Sequence, residues 1–95
     1  MSYEIWLAPQ AIEDLQALKA NVRGEVRDGM ERYLRHEPTK TSKARIKRLR
    51  GVRRPEYRLR VGDVRVFYDV VPGEVRVVAI VAKEDAEEWL RRVGK

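Results

Sequence analysis

The sequence has no cysteine and only one histidine, His36, among its 95 residues. Without cysteine there is no disulfide framework, no thiolate metal site and no thiol nucleophile. With one histidine there is no His-pair metal motif, and no Ser-His-Asp set is recognisable around it. No segment approaches the ~20 apolar residues of a membrane span. The opening residues Met1-Ser2-Tyr3-Glu4 lack the basic region of a signal peptide, so a cytoplasmic protein is expected. No glycine-rich phosphate loop precedes a helix, because Gly62 and Gly73 stand in turn contexts. Internal repeats, low-complexity tracts and interdomain linkers are also missing. The length allows one small domain over residues 1–95 and excludes a two-lobed enzyme. Such a chain buries only about 60–65% of its unfolded surface.

The sequence is rich in positive charge, concentrated in one stretch. The net charge is +6. Between Lys40 and Arg65 there are 11 Lys and Arg against Glu56 and Asp63, a local net of +9, and the rest of the chain carries −3. A charge serving only solubility would be spread more evenly. A localised basic stretch suits a polyanion or an acidic protein partner. The 43% hydrophobic content argues against disorder.

The pattern along the chain predicts an α+β fold. Tyr3, Ile5 and Leu7 alternate with Glu4 and Trp6 as a short strand. Pro9 suits the first turn of a helix, whose apolar stripe is Ala8, Ala11, Ile12, Leu15 and Leu18. Asn21 is a candidate cap for a second helix carrying Val22, Val26, Met30 and Tyr33 or Leu34, weakened by Gly24 and ended by Pro38. The short connection implies an antiparallel helical hairpin. After a polar loop over residues 39–45 the period becomes two. Ile46–Gly51, Tyr57–Val61, Val64–Val70 and Val75–Val81 read as strands, with turns at Gly62-Asp63 and Pro72-Gly73. The almost wholly apolar Val75–Val81 reads as the central strand, buried on both faces. Lys83–Arg92 reads as a last short helix with Ala86, Trp89 and Leu90 inward. The whole is a strand, a helical hairpin, a mostly antiparallel sheet of four or five twisted strands, and a terminal helix.

The arginines of the strands are the candidate functional residues. Strand periodicity puts Arg58 and Arg60 on one face, with Tyr57, Leu59 and Val61 on the other. Arg65 follows across the Gly62-Asp63 turn, within reach of Arg60. Guanidiniums sharing a face repel one another, which is easiest to understand if a phosphate-bearing ligand or an acidic peptide sits there. The competing reading is a solvated strand face whose long stems cover the core edge. Arg45, Lys47, Arg48, Arg50, Arg53 and Arg54 extend the basic stretch as candidate nucleic-acid contacts, acting through electrostatic steering. Other chemistry-bearing residues have plainer roles. Glu84, Asp85, Glu87 and Glu88 form a solvated face near a helix N-terminus, and His36 sits near a helix C-terminus, where a cation suits the dipole. Tyr68 and Trp89 are read as packing residues rather than base-stacking platforms.

Three segments carry a family resemblance: Arg45-Ile-Lys-Arg-Leu-Arg-Gly51, Tyr57-Arg-Leu-Arg-Val61, and Gly62-Asp-Val-Arg-Val-Phe-Tyr-Asp69. Together they resemble the RelE/ParE superfamily of bacterial toxins, over nearly the whole chain. The resemblance implies a toxin of a type II toxin–antitoxin system, neutralised by a cognate antitoxin protein. RelE-like members cleave messenger RNA in the ribosomal A site without a metal or other cofactor. Arg58, Arg60 and Arg65 match the basic catalytic or substrate-binding positions of that group. ParE-like members instead poison DNA gyrase, and a non-catalytic RNA-binding scaffold is a further alternative. The chain departs from the RelE-like pattern after its last strand, where an Arg or His and then a Tyr are usual. Here Lys83 stands in the first position, and Trp89, which transfers no proton, lies in the final helix. Two family lysines are arginines here, Arg58 and Arg60.

Overall fold

The computed structural model describes residues 2–93; Met1, Gly94 and Lys95, which the one-domain expectation includes, lie outside the described residues. The elements are β1 (Glu4–Leu7), α1 (Pro9–Ala17), α2 (Ala20–Leu34), β2 (Ile46–Arg48), β3 (Tyr57–Val61), β4 (Val64–Val71), β5 (Glu74–Ala82) and α3 (Lys83–Val93). The fold is α+β, with the strands in one mixed sheet of order β1-β5-β4-β3-β2. β1 runs parallel to β5, and every other pair is antiparallel.

The helical layer is set by a few local signals. Pro9 stands in the first turn of α1, where its missing N–H costs nothing. Ala11 and Leu15 are buried, but Ile12 is 45% exposed, so the stripe on this two-turn helix is narrower than expected. The expected cap at Asn21 is not formed: α2 begins at Ala20, with Lys19 before it and no side-chain cap bond. The α1–α2 turn is held from the other side instead. The Arg23 guanidinium donates to the carbonyls of Leu18 (2.9 Å) and Gln16 (3.4 Å), serving acceptors that the end of α1 leaves free. α2 buries Val26, Met30 and Leu34. It stops four residues before Pro38, where the Arg35 carbonyl accepts the Tyr3 N–H at 2.7 Å. The Arg35 guanidinium returns a bond to the Tyr3 carbonyl at 3.0 Å. Pro38 itself is buried, and its carbonyl accepts the Tyr68 hydroxyl at 2.6 Å.

One sheet face packs on the hairpin. Ile46, Leu59, Val66, Tyr68, Val75, Val77 and Ile80 join Ala11, Leu15, Val26, Met30 and Leu34 in the core. The central strand is β4 rather than β5, and Val64 to Asp69 are buried without a break. β5 lies one place off centre and exposes Arg76. Its apolar run has another cause: opposite Phe67 and Tyr68 stand Ala79 and Val77, so Val78 is an extra, bulged residue. The bulge restarts the alternation and lets Val75, Val77 and Ile80 share the core face. The Asp14 carboxylate of α1 accepts the Ile80 N–H at 3.0 Å just beyond it. On the opposite face, fully buried Phe67 stacks on Trp89 of α3, with ring centroids 4.7 Å apart.

Candidate functional site

Register places the arginines more firmly than sequence periodicity could. Residues opposite one another on paired strands point to the same face. Arg60 is opposite Arg65, and Arg65 is in turn opposite Val81. One step along, Lys47 is opposite Arg58, and Arg58 is opposite Phe67. Lys47, Arg58, Arg60 and Arg65 therefore form two cross-strand rows on the face away from the hairpin, beside the Phe67–Trp89 stack. The Gly62-Asp63 turn joins the two strands. Gly62 adopts φ +55°, a left-handed conformation natural to glycine.

The three arginines are held differently. Arg65 is only 7% exposed, and its Nη1 donates to the carbonyls of Gly62 (2.9 Å) and Val64 (3.1 Å). Its guanidinium is folded against the turn. Burial, and then the charge of Arg60, push its pKa below the ordinary arginine value, with Asp63 opposing. Arg58 is half-buried, and its buried Nε has no hydrogen-bond partner among the described residues. Its pKa is lowered by burial first, then by Arg65 and Arg60. Arg60 is exposed. Arginine stays protonated at neutral pH regardless, so these three arginines carry partly desolvated positive charge with no carboxylate in an ion pair to them among the described residues. Such an arrangement can bind a phosphate and stabilise charge that develops on it.

Lys83 is exposed at the first position of α3, and its N–H donates to the Asp63 carbonyl at 2.8 Å. Its backbone is thus tied to the same turn that Arg65 grips. The remaining basic residues do not form one patch. Lys47 joins Arg58. Arg48 lies over the Tyr57 ring at 5.7 Å and donates to its hydroxyl at 3.4 Å, on the hairpin side. Arg45 sits over the Tyr33 ring at 5.2 Å. Arg54 pairs with the buried Asp69 at 3.6 Å, and Asp69 also accepts the Glu56 N–H at 2.9 Å. Arg50 and Arg53 are exposed in the β2–β3 connection.

The core tyrosines and the one histidine lie elsewhere. Tyr57 and Tyr68 point into the hairpin core, where burial and then Tyr57 push the Tyr68 pKa upward. His36 follows the end of α2 beside Tyr3, while the arginine pair sits toward the other end of β5. Eight residue steps along β5 separate the partners of Glu4 and of Val64, or about 26 Å. Sequence reasoning missed Asp69, whose role depends on a contact with a distant loop, and the pairing of Phe67 with Trp89. No helix among the described residues is long and apolar enough to cross a membrane.

Comparison with known proteins agrees with this architecture. A family described as "ParE toxin of type II toxin-antitoxin system, parDE" matches residues 5–87. No protein of curated function matches the chain. Among solved structures, a mutant of Escherichia coli toxin RelE in the free state is similar with a TM-score of 0.69 and 21% identity, over 98% of this chain and 99% of that one. The archaeal RelE–RelB complex from Pyrococcus horikoshii OT3 is similar with a TM-score of 0.64 and 27% identity, over 87% and 97% of the respective chains. The RelB–RelE antitoxin–toxin complex from Methanococcus jannaschii is similar with a TM-score of 0.67 and 18% identity, over 88% and 96%.

Proposed function

This chain belongs to the ParE toxin family of the RelE/ParE superfamily and is a type II toxin; from that premise we propose that it inhibits translation by cleaving messenger RNA on the ribosome. The observation that carries this reading is the cross-strand pair Arg60–Arg65 with the desolvated Arg58 beside it. The 27% identity to a chain of the archaeal RelE–RelB complex is a further likeness to RelE-like members. In this reading the ribose 2′-oxygen attacks the adjacent phosphorus. An O2′–P bond forms and the P–O5′ bond breaks, leaving a 2′,3′-cyclic phosphate and a 5′-hydroxyl. The proton lost by the 2′-hydroxyl is returned to the 5′-oxygen through solvent. Arg58, Arg60 and Arg65 hold the scissile phosphate and stabilise the charge of the five-coordinate state, and Lys83 adds charge at the same end of the sheet. Arginine is a poor base at neutral pH, so catalysis is electrostatic rather than general-base. The partner that silences the toxin is a cognate antitoxin; both archaeal neighbours are complexes with RelB, which the Methanococcus jannaschii structure names the antitoxin. A toxin acting on ribosomes works in the cytoplasm.

The test is primer extension on programmed ribosomes, wild type beside Arg60→Gln and Arg65→Ala. Discrete A-site cuts that vanish in the folded variants support the reading. Intact messenger with folded wild-type protein overturns it. A second reading is that the protein poisons DNA gyrase without chemistry of its own. It is favoured by the ParE description of the family, and by strand register, which puts no tyrosine or histidine on the arginine face among the described residues. Stabilised gyrase–DNA cleavage complexes, in place of messenger cuts, would select it.

A further inference from the structure

Beyond the arginine face, the loop that follows α2 builds a second cationic recess. Its walls are Arg32, Tyr33, Glu37, Lys40, Ser42 and Arg45, around a volume of about 220 Å³. The loop is folded tightly: the Lys40 N–H donates to the Glu37 carbonyl (3.2 Å), the Ser42 N–H to the Ile46 carbonyl (2.9 Å) and the Arg45 N–H to Ser42 Oγ (3.0 Å). The buried Tyr68–Pro38 bond anchors it from below. Two guanidiniums share one aromatic ring there, Arg32 at 5.7 Å and Arg45 at 5.2 Å from the Tyr33 centroid. The ring attracts both cations to one place through its face. Arg45 spends one donor on a long 3.5 Å bond to the Arg60 carbonyl, and Arg32 makes no hydrogen bond or ion pair among the described residues. Glu37 pairs with Lys40 at 3.5 Å. Glu25 and Asp28 line the adjoining hollow without pairing to either arginine. Arg32, Lys40 and Arg45 against Glu37 leave the recess itself with a surplus of positive charge, although the same two arginines also line the hollow that holds Glu25 and Asp28.

Its position says what that charge is for. The Arg60 N–H donates to the Arg45 carbonyl at 2.9 Å, so the recess adjoins the strand that carries the arginine pair. Two strand spacings, about 10 Å, separate Arg65 from the Arg45 backbone. The geometry points to a flanking phosphodiester site: single-stranded RNA held at Arg60 and Arg65 continues around the β2 edge, and a neighbouring phosphate is taken by Arg32, Lys40 and Arg45. This inference rests on the RNA reading above and extends it to nucleotides beyond the scissile bond. Planar guanidiniums match a phosphate by paired hydrogen bonds, and continuity with Arg60 favours a polynucleotide over an acidic protein.

The experiment is binding of labelled 2′-O-methyl RNA, which lacks the attacking hydroxyl, followed by anisotropy across a salt series. A strand of about ten nucleotides spans both sites, whereas a trinucleotide reaches only one. The double variant R32Q/K40Q, at two exposed positions, is expected to bind the long strand about tenfold more weakly. Its salt slope should fall by roughly 0.7 per lost phosphate contact, with no loss on the trinucleotide. Should the double variant fail to fold by circular dichroism, R32Q alone is read the same way. Wild-type affinity and slope in the folded variant overturn this inference alone, provided Arg60→Gln weakens both strands. A wild-type protein that binds neither strand overturns this inference, while the messenger reading stands or falls on the ribosomal cleavage assay. Displacement of the RNA by poly-glutamate at equal charge concentration would assign the recess to an acidic protein instead.

Discussion

Phe67 and Trp89 lie almost parallel, with 17° between the ring planes, and this contact joins α3 to the sheet. No residue of α3 is fully buried. Phe67, by contrast, has no exposed surface, so the indole is its cover on the face away from the hairpin. Trp89→Ala is expected to destabilise the protein by about 2 kcal/mol, less than a full core truncation because Trp89 is only half-buried. The loss should be local. Hydrogen exchange should show the α3 amides losing protection while those of β4 keep it. Equal loss in both would mean that α3 unfolds only with the whole domain.

Two glycines of α2 should respond in opposite directions to the same substitution. A Cβ on Gly29 would stand 2.8 Å from Val61 Cγ2, and the short, stiff valine has little room to move aside. Gly29→Ala is expected to cost about 1–3 kcal/mol. A Cβ on Gly24 meets nothing within 4 Å. Gly24→Ala should stabilise by about 0.5–1 kcal/mol, by raising helix propensity and restricting the unfolded chain. Urea denaturation of the two variants beside wild type checks both signs.

Much of this could be read in advance, and the failures have physical reasons. The alternation of Tyr57-Arg-Leu-Arg-Val61 fixed which face Arg58 and Arg60 occupy, since a strand leaves no other choice. The Gly62-Asp63 turn then brought Arg65 opposite Arg60. Val75–Val81 misled because the bulge at Val78 breaks the period of two, and an unbroken apolar run looks the same as a strand buried on both faces. Asn21 misled because α2 starts one residue earlier, at Ala20, which puts Asn21 inside the first turn rather than at the cap position. The six further basic residues looked like one patch because charge in sequence says nothing of facing. The structure sends Lys47 to one face, Arg48 to the other and Arg54 to Asp69.

Tyr68 ties the post-α2 loop to the sheet. Removing its hydroxyl leaves the buried Pro38 carbonyl without its 2.6 Å donor. Tyr68→Phe is therefore expected to cost about 1–3 kcal/mol. A pH dependence follows as well. Burial raises the folded-state pKa of this phenol above its unfolded value. The associated stability is whole below the unfolded pKa of about 10 and is lost as pH climbs above it. Tyrosinate absorbance from Tyr68 should appear only together with alkaline unfolding. The Tyr68→Phe variant should lose that part of the alkaline slope. A titration in the folded protein near pH 10 that disappears in Tyr68→Phe would contradict this account.

The arginine pair separates stability from function more sharply. Arg65 has structural duties, since its Nη1 serves two carbonyls of the β3–β4 turn. Arg65→Ala should therefore lower both the melting temperature and toxicity, and by itself it distinguishes little. Arg60 is exposed, and its charge depresses the pKa of both Arg65 and Arg58. It is a repulsive neighbour whose removal relieves the other two. Arg60→Gln is expected to melt at or slightly above the wild-type temperature while losing at least about 100-fold in messenger cleavage, in line with the loss when a preorganised charge contact to a reacting group is removed. A residue that opposes stability yet is needed for activity is placed for its ligand rather than for the fold. Added salt should narrow the difference in melting temperature, because the repulsion it relieves is screened. Wild-type cleavage by Arg60→Gln with a lowered melting temperature would reverse the assignment and make the arginine a structural element of the sheet.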